Sequence, residues 1–98
     1  MNTLHIDADA LGLDFDACRK LAEAVAGHLL GENMLLSFYD RERDLESPGG
    51  VSECHRGCAI PGWVEYAQSR GATLMLSFSQ GRFAFCFMPL TAANWPNR

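Results

Sequence analysis

The chain has 98 residues, of which 48% are apolar and 20% charged, and it carries a formal net charge of −4. This length supplies one hydrophobic core and excludes a separate catalytic module, so we expect a single domain over residues 1–98. The acidic balance argues against nucleic acid as a partner, because phosphate backbones repel a negatively charged protein.

The beginning of the sequence lacks the basic segment and apolar run of a targeting peptide, and no apolar stretch reaches the length of a membrane span. We therefore expect a cytoplasmic protein without membrane contact. A reducing compartment favours free thiols or metal ligands over disulfides. This expectation applies to the four cysteines, Cys18, Cys54, Cys58 and Cys86.

The first half of the chain predicts a strand and then a helix. Apolar and polar residues alternate over residues 4–8, which is typical of a half-buried strand. Asp14 or Asp16 can cap the following helix, and Gly31 can end it. The apolar stripe of this helix consists of Phe15, Cys18, Leu21, Ala22, Val25, Ala26 and Leu29.

A second strand and a second helix flank a long polar loop. Residues 34–39 alternate and predict a strand that ends at Asp40. The loop from Asp40 to Ile60 is longer than a compact domain normally needs, and loops of that length are usually functional or disordered. Pro61 suits the first turn of a short helix that ends before Gly71. The apolar face of this helix carries Ile60, Trp63, Val64 and Ala67.

The last element predicts a β-hairpin whose turn is Gln80 and Gly81, because glycine supplies the positive φ that a two-residue turn needs. This turn predicts three cross-strand pairs, Phe78 with Phe83, Leu76 with Phe85, and Leu74 with Phe87. The tail from Pro89 to Arg98 is expected to be irregular.

The element order is therefore β-α-β-loop-α-β-β, an α+β fold. Since a strand, a helix and a further strand usually form a parallel crossover, we expect the strand over 34–39 and the strand over 73–79 to run parallel in a mixed four-stranded sheet. Both helices would cover the face that carries Phe83, Phe85 and Phe87, which gives a two-layer α/β sandwich.

Such a sandwich leaves one sheet face without helices. That face would show Leu35, Ser37, Tyr39, Met75, Ser77, Ala84, Cys86 and Met88. A nearly uncharged sheet face usually marks an interface, so we expect a homodimer with two-fold symmetry. The alternative is that Leu90 and Trp95 of the tail fold back over it.

The polar loop follows the carboxyl end of a strand, where α/β folds tend to build their sites. Tyr39, Asp40, Ser47 and His55 are the candidate residues for a small-molecule ligand. Asp40 has an equally simple alternative role, because aspartate commonly caps a turn.

The same loop supports two further hypotheses. Cys54 and Cys58 form one C-x3-C pair that could bind a metal ion, but zinc needs about four ligands and the others are not evident. An enzyme could use Asp40 and His55 as an acid–base pair, or Cys58 as a thiol nucleophile. Thiols without a role remain the simplest reading, and no motif specifies a cofactor.

Several of these residues also carry a family resemblance. The pattern SFYD at residues 37–40, together with Ser47, Pro48, His55 and EYAQSRGATLMLSF at residues 65–78, resembles a family of small uncharacterised α/β domains from anaerobic bacteria and archaea. The resemblance implies a stand-alone domain of unassigned role and supplies no catalytic residues. The leading hypothesis is a small homodimeric binding or regulatory domain, followed by an enzyme and then by a metal-binding protein.

Overall fold

The computed structural model describes residues 1–49 and 60–90. Within these residues the α-helices and β-strands in chain order are β1 (Asn2–Ile6), α1 (Phe15–Leu30), β2 (Asn33–Asp40), β3 (Leu45–Ser47), α2 (Gly62–Ser69), β4 (Leu74–Phe78) and β5 (Phe83–Pro89), and a short 3-10 helix, Asp9–Leu11, lies between β1 and α1. The strands form one sheet in the order β1-β4-β5-β2-β3. The α+β class is confirmed, but the prediction of four strands is wrong, because β3 adds a fifth strand within the polar loop.

The strand directions follow from the pairing. β1 is parallel to β4, and β5 is antiparallel to both β4 and β2. β1, β2 and β4 therefore run in one direction and end at the same edge of the sheet, which we call the carboxyl edge. The predicted common direction of β2 and β4 is confirmed, although β5 lies between them.

The C-terminal hairpin has the predicted register. Phe78 pairs with Phe83, and the two further pairs, Leu76 with Phe85 and Leu74 with Phe87, also form as expected. Gln80 and Gly81 take φ angles of 60° and 90° at the turn, the left-handed conformation that a tight hairpin requires.

The first helix also begins and ends as predicted. The Asp14 carboxylate accepts a 2.9 Å hydrogen bond from the amide of Ala17, and Gly31 ends α1 with a φ of 73°. The buried residues of α1 are Cys18, Ala22 and Ala26. They pack on the sheet face that carries Phe78, Phe83, Phe85 and Phe87.

The second helix lies on the opposite face of the sheet. Trp63 and Ala67 of α2 are buried against Ala84 and Cys86, which alternate along β5 with its phenylalanines. The predictions of both helices on one face and of a two-layer sandwich are therefore wrong. The face expected to be bare is covered around β2 and β5, where Ala84 and Cys86 are at most 2% exposed. The homodimer itself stays a prediction.

A β-bulge changes the alternation of β2. The pairing with β5 shifts between Leu35 and Ser37, so that Leu36 has no partner of its own. Leu35 consequently packs with the α1-side core, and Leu36 packs on the α2 side. Strict alternation along residues 34–39 predicted the reverse, with Leu35 on the face away from the phenylalanines and Leu36 on the same face as them, and this prediction is wrong. Among the residues that the structure describes, no helix has the length and hydropathy of a membrane span.

Candidate functional site

The carboxyl edge of the sheet holds an open cleft beside the ends of β1 and β4, with a volume of about 430 Å³. Its lining residues in the described part of the chain are His5, Ile6, Asp7, Asp9, Ser79 and Gln80. They come from the end of β1, the segment after it, and the β4–β5 turn. Ligands of open α/β sheets tend to bind at the carboxyl ends of strands, which is where this cleft lies.

Short hydrogen bonds hold the walls of the cleft together. The Ser79 amide donates to the carbonyl of Ile6 at 2.7 Å, and the Ser79 hydroxyl accepts from the amide of Ala8 at 3.1 Å. The Asp7 carboxylate accepts from the amide of Asp9 at 3.0 Å. Asp7 therefore orients its own turn and still has lone pairs available for further donors.

Arg82 joins the turns that surround this edge. Its guanidinium lies 3.4 Å from the Asp9 carboxylate and 2.8 Å from the Glu42 carboxylate, and it also sits over the ring of Phe83. The hydrogen bond with Glu42 and the negative charge of both partners raise the pKa of Arg82 above its usual value. Arg82 thus links the segment after β1 to the β2–β3 turn.

Asp40 lies at the same edge but is committed to its own turn. Its side chain is 2% exposed. One carboxylate oxygen accepts from the amides of Glu42 and Arg43, and the other accepts from the Nε of Arg43. This geometry is the turn cap that the sequence allowed as the alternative role, while ligand binding by Asp40 stays a prediction.

Tyr39 points to the other face of the sheet. Its ring stacks on Trp63 with centroids 5.6 Å apart, and its hydroxyl donates to Asp44 at 3.1 Å. Burial, followed by the hydrogen bond to Asp44, raises the pKa of Tyr39. Ser47 pairs with Phe38 on β2 and so lies on the Asp40 side. The structure therefore brings Tyr39, Asp40 and Ser47 onto one hairpin without aiming them at one point.

The remaining predicted site residues, His55, Cys54 and Cys58, lie outside the described residues. The acid–base, thiol and metal-binding hypotheses that use them stay predictions. Over residues 1–49 and 60–90, no group of three side chains has the composition and proximity to hold a metal ion.

The cleft and the site predicted from the sequence lie on the same edge of the sheet but beside different strands, and the predicted site stays a prediction. Sequence reasoning assigned the site to the end of β2, whereas the cleft lies at the ends of β1 and β4. A usable signal is present in the sequence, because Asp7 directly follows β1 and Asp9 lies two residues further on. The sequence does not reveal the cleft, because the parallel pairing of β1 with β4 joins residues 72 positions apart and leaves no local pattern.

Comparison with known proteins supports a domain without an assigned role. The protein-family model described as "Domain of unknown function (DUF5619)" matches residues 1–87. No curated protein matches the sequence. A similar solved structure is the crystal structure of AF1514, a novel protein from Archeoglobus fulgidus DSM 4304. The match has a TM-score of 0.72 and 25% sequence identity, and it covers 94% of this chain and 98% of the archaeal chain.

Proposed function

The chain belongs to the DUF5619 family, a domain of unknown function, and we propose that it acts as a small-molecule binding domain. The ligand occupies the cleft at the carboxyl edge of β1 and β4. The observation that carries this proposal is the cleft itself, a volume of about 430 Å³ lined by the end of β1, the segment after it and the β4–β5 turn. This volume lies within the usual range for small-molecule sites.

The lining indicates the chemistry of the ligand. Asp7 and Asp9 contribute carboxylates, and Ser79 and Gln80 contribute a hydroxyl and an amide. Arg82 is paired with Asp9 and Glu42, so its charge is largely offset before a ligand arrives. Hydrogen-bond acceptors therefore dominate, which favours a ligand that carries N–H or O–H donors and a positive charge.

The predicted site at the end of β2 lies on the same edge of the sheet. The hypothesis that the loop around Asp40, Ser47 and His55 covers a site at the end of β2 stays a prediction, since His55 lies outside the described residues. In our proposal of a ligand in the cleft, Asp40 stabilises the β2–β3 turn instead of contacting the ligand, because its carboxylate accepts hydrogen bonds from the amides of Glu42 and Arg43.

Amide chemical shifts of the full isotope-labelled chain test the proposal. The probes are putrescine as a diamine, glucosamine as an amino sugar and glucose as a neutral sugar. We expect putrescine or glucosamine to shift the amides of Asp7, Asp9 and Gln80, and to do so more than glucose does.

A matched pair of variants locates the binding. Asp7→Asn removes the charge but keeps an acceptor for the Asp9 amide, so the fold is retained while binding of the charged probe weakens about tenfold. Glu32→Ala removes an exposed carboxylate at the opposite edge and should leave the affinity unchanged. Shifts that are absent for all three probes, or equal in Asp7→Asn and the unmodified chain, would contradict a cation-binding cleft.

A further inference from the structure

The outer edge of β1 presents backbone groups that no strand in the described part of the chain pairs with. β1 is the terminal strand of the sheet, and its partner is β4. The Asn2 amide donates to the carbonyl of Thr73 at 2.9 Å, and the Ile6 carbonyl accepts from the amide of Ser79 at 2.7 Å. Since the direction of backbone groups alternates along a strand, the amides and carbonyls of Thr3 and His5 point away from β4.

This edge lacks the features that usually prevent pairing with another chain. Natural edge strands are blunted by lysine, proline, inward charges or a bulge. β1 has the sequence NTLHI, which contains neither lysine nor proline, and its five residues pair with β4 without a register shift. β1 also carries no formal charge in a chain whose net charge is −4.

Leu4, at the centre of β1, is apolar and exposed. Its partner on β4 is Leu76, which belongs to the α1-side core, so Leu4 lies on the α1 face of the sheet. Leu76 is fully buried, whereas Leu4 is 40% exposed. Exposure of an apolar side chain at the centre of an open strand favours burial against a further strand.

We propose that β1 pairs antiparallel with β1 of a second copy of this chain, about a two-fold axis that passes beside Leu4. Thr3 of each copy then faces His5 of the other, and these two pairs make four backbone hydrogen bonds. The two Leu4 side chains meet at the axis, where a non-hydrogen-bonded antiparallel pair brings side chains closest. The two five-stranded sheets join into one continuous sheet.

The occupant is a second copy because the edge is complementary to itself. Thr3 and His5 lie one residue to either side of Leu4, so a two-fold axis there pairs every outward-pointing donor with an acceptor. The uncharged strand also brings no like charges opposite one another, which an isologous interface must avoid. His5 and Asp7 line the cleft, so each of the two clefts would border this interface.

Analytical ultracentrifugation of the full chain over a range of concentrations tests the pairing. We expect a concentration-dependent dimer. Leu4→Lys and Leu4→Glu should each weaken self-association about a hundredfold or more, because like charges meet at the axis. A 1:1 mixture of the two variants should recover the dimer, because lysine then faces glutamate. Leu11→Lys is the matched control, since Leu11 is 68% exposed outside the sheet and should leave the dimer intact.

Hydrogen exchange of the unmodified chain gives a readout that needs no variant. The amides of Thr3 and His5 should become protected as concentration rises, while the Asn2 amide, which already bonds to Thr73, should change little. A monomer at all concentrations would overturn the proposal. A dimer that persists in Leu4→Lys, or a mixture that fails to recover it, would overturn the pairing about Leu4.

Discussion

The two faces of the sheet are built from residues of different size. β5 alternates Phe83, Phe85 and Phe87 on the α1 side with Ala84 and Cys86 on the α2 side. On β5 the α1 side carries phenylalanine rings, whereas the residues that pack with Ala67 of α2 are the small Ala84 and Cys86. Small, uncharged residues on a sheet face can therefore indicate a covering helix rather than an open surface.

The faces also differ in what connects helix to sheet. Within the described residues, α1 meets the sheet through apolar side chains and one cysteine, with Phe15, Val25 and Leu30 packing beside its buried alanines. On the α2 side, the Ser37 hydroxyl donates to the carbonyl of Trp63 at 2.9 Å, and Trp63 stacks on Tyr39. A buried hydrogen bond therefore helps to hold α2 on the sheet, whereas α1 is held by apolar packing.

The largest predicted effect lies in the aromatic core. Phe85 is fully buried, and the rings of Phe15, Phe38 and Phe78 lie 5.4–6.3 Å from its own. Phe85→Ala should lower the free energy of unfolding by about 3–5 kcal/mol in urea denaturation, because it opens a cavity. Ala84→Gly, the neighbouring change on the α2 side, should cost about 1 kcal/mol. If the two variants lost similar amounts of unfolding free energy, the proposed difference in packing between the two faces would be contradicted.

A second prediction concerns the thiol on the α2 side. Burial raises the pKa of Cys86 to about 11, against a smaller lowering by the hydrogen bond with Ser37. Below about pH 8 the thiol is protonated in both the folded and the unfolded chain. Between pH 9 and 11 the unfolded chain loses this proton first, so the free energy of unfolding should fall by about 1.4 kcal/mol per pH unit.

The variant Cys86→Ala isolates that contribution. Its unfolding free energy should fall less steeply over pH 9–11 than that of the unmodified chain, while both stay flat from pH 7 to 8. Urea denaturation at each pH measures the two slopes. Equal slopes above pH 9 would show that the Cys86 thiol is ionised as readily in the folded protein as in the unfolded one.

The smallest predicted effect tests the polar anchor of α2. Ser37→Ala should cost about 1 kcal/mol, because the buried hydroxyl bond to Trp63 is lost. Hydrogen exchange should speed up in α2 and stay unchanged in α1. Ser69→Ala removes an exposed hydroxyl that bonds to the carbonyl of Tyr66, and it should change stability by less than about 0.5 kcal/mol. Faster exchange in both helices would show that the two faces unfold together.

Local patterns explain what could be predicted. The register of β4 with β5 follows from the turn at Gln80 and Gly81, which lies between the two strands in sequence. The Asp14 cap and the Gly31 end of α1 need only the residues next to them. β3 was missed because its three residues, LES, have no strand pattern and become a strand by pairing with β2.

The residues of the cleft could not be predicted from the sequence, and the site predicted at the end of β2 stays a prediction. Tyr39 and Asp40 are neighbours in sequence, but alternation along β2 points their side chains to opposite faces. The bulge at Leu36 places Leu35 on the α1 face instead of the predicted opposite face, because one extra residue reverses the alternation of side chains before it. The cleft needed the pairing of β1 with β4, which no short segment encodes.

The sequence by itself determined the elements that local chemistry specifies: the capped first helix, the buried Trp63 and Ala67 of the second, and the hairpin with its register. Ile60, assigned to the same apolar face of the second helix, is exposed and precedes the helix. Only the tertiary structure decided the strand order, and with it the side of the sheet that α2 covers. The connection from β1 to β2 crosses the sheet in one direction, and the connection from β2 to β4 returns in the other. Crossovers of the same hand that travel in opposite directions place their helices on opposite faces, so the position of α2 depends on which strands pair rather than on its own residues.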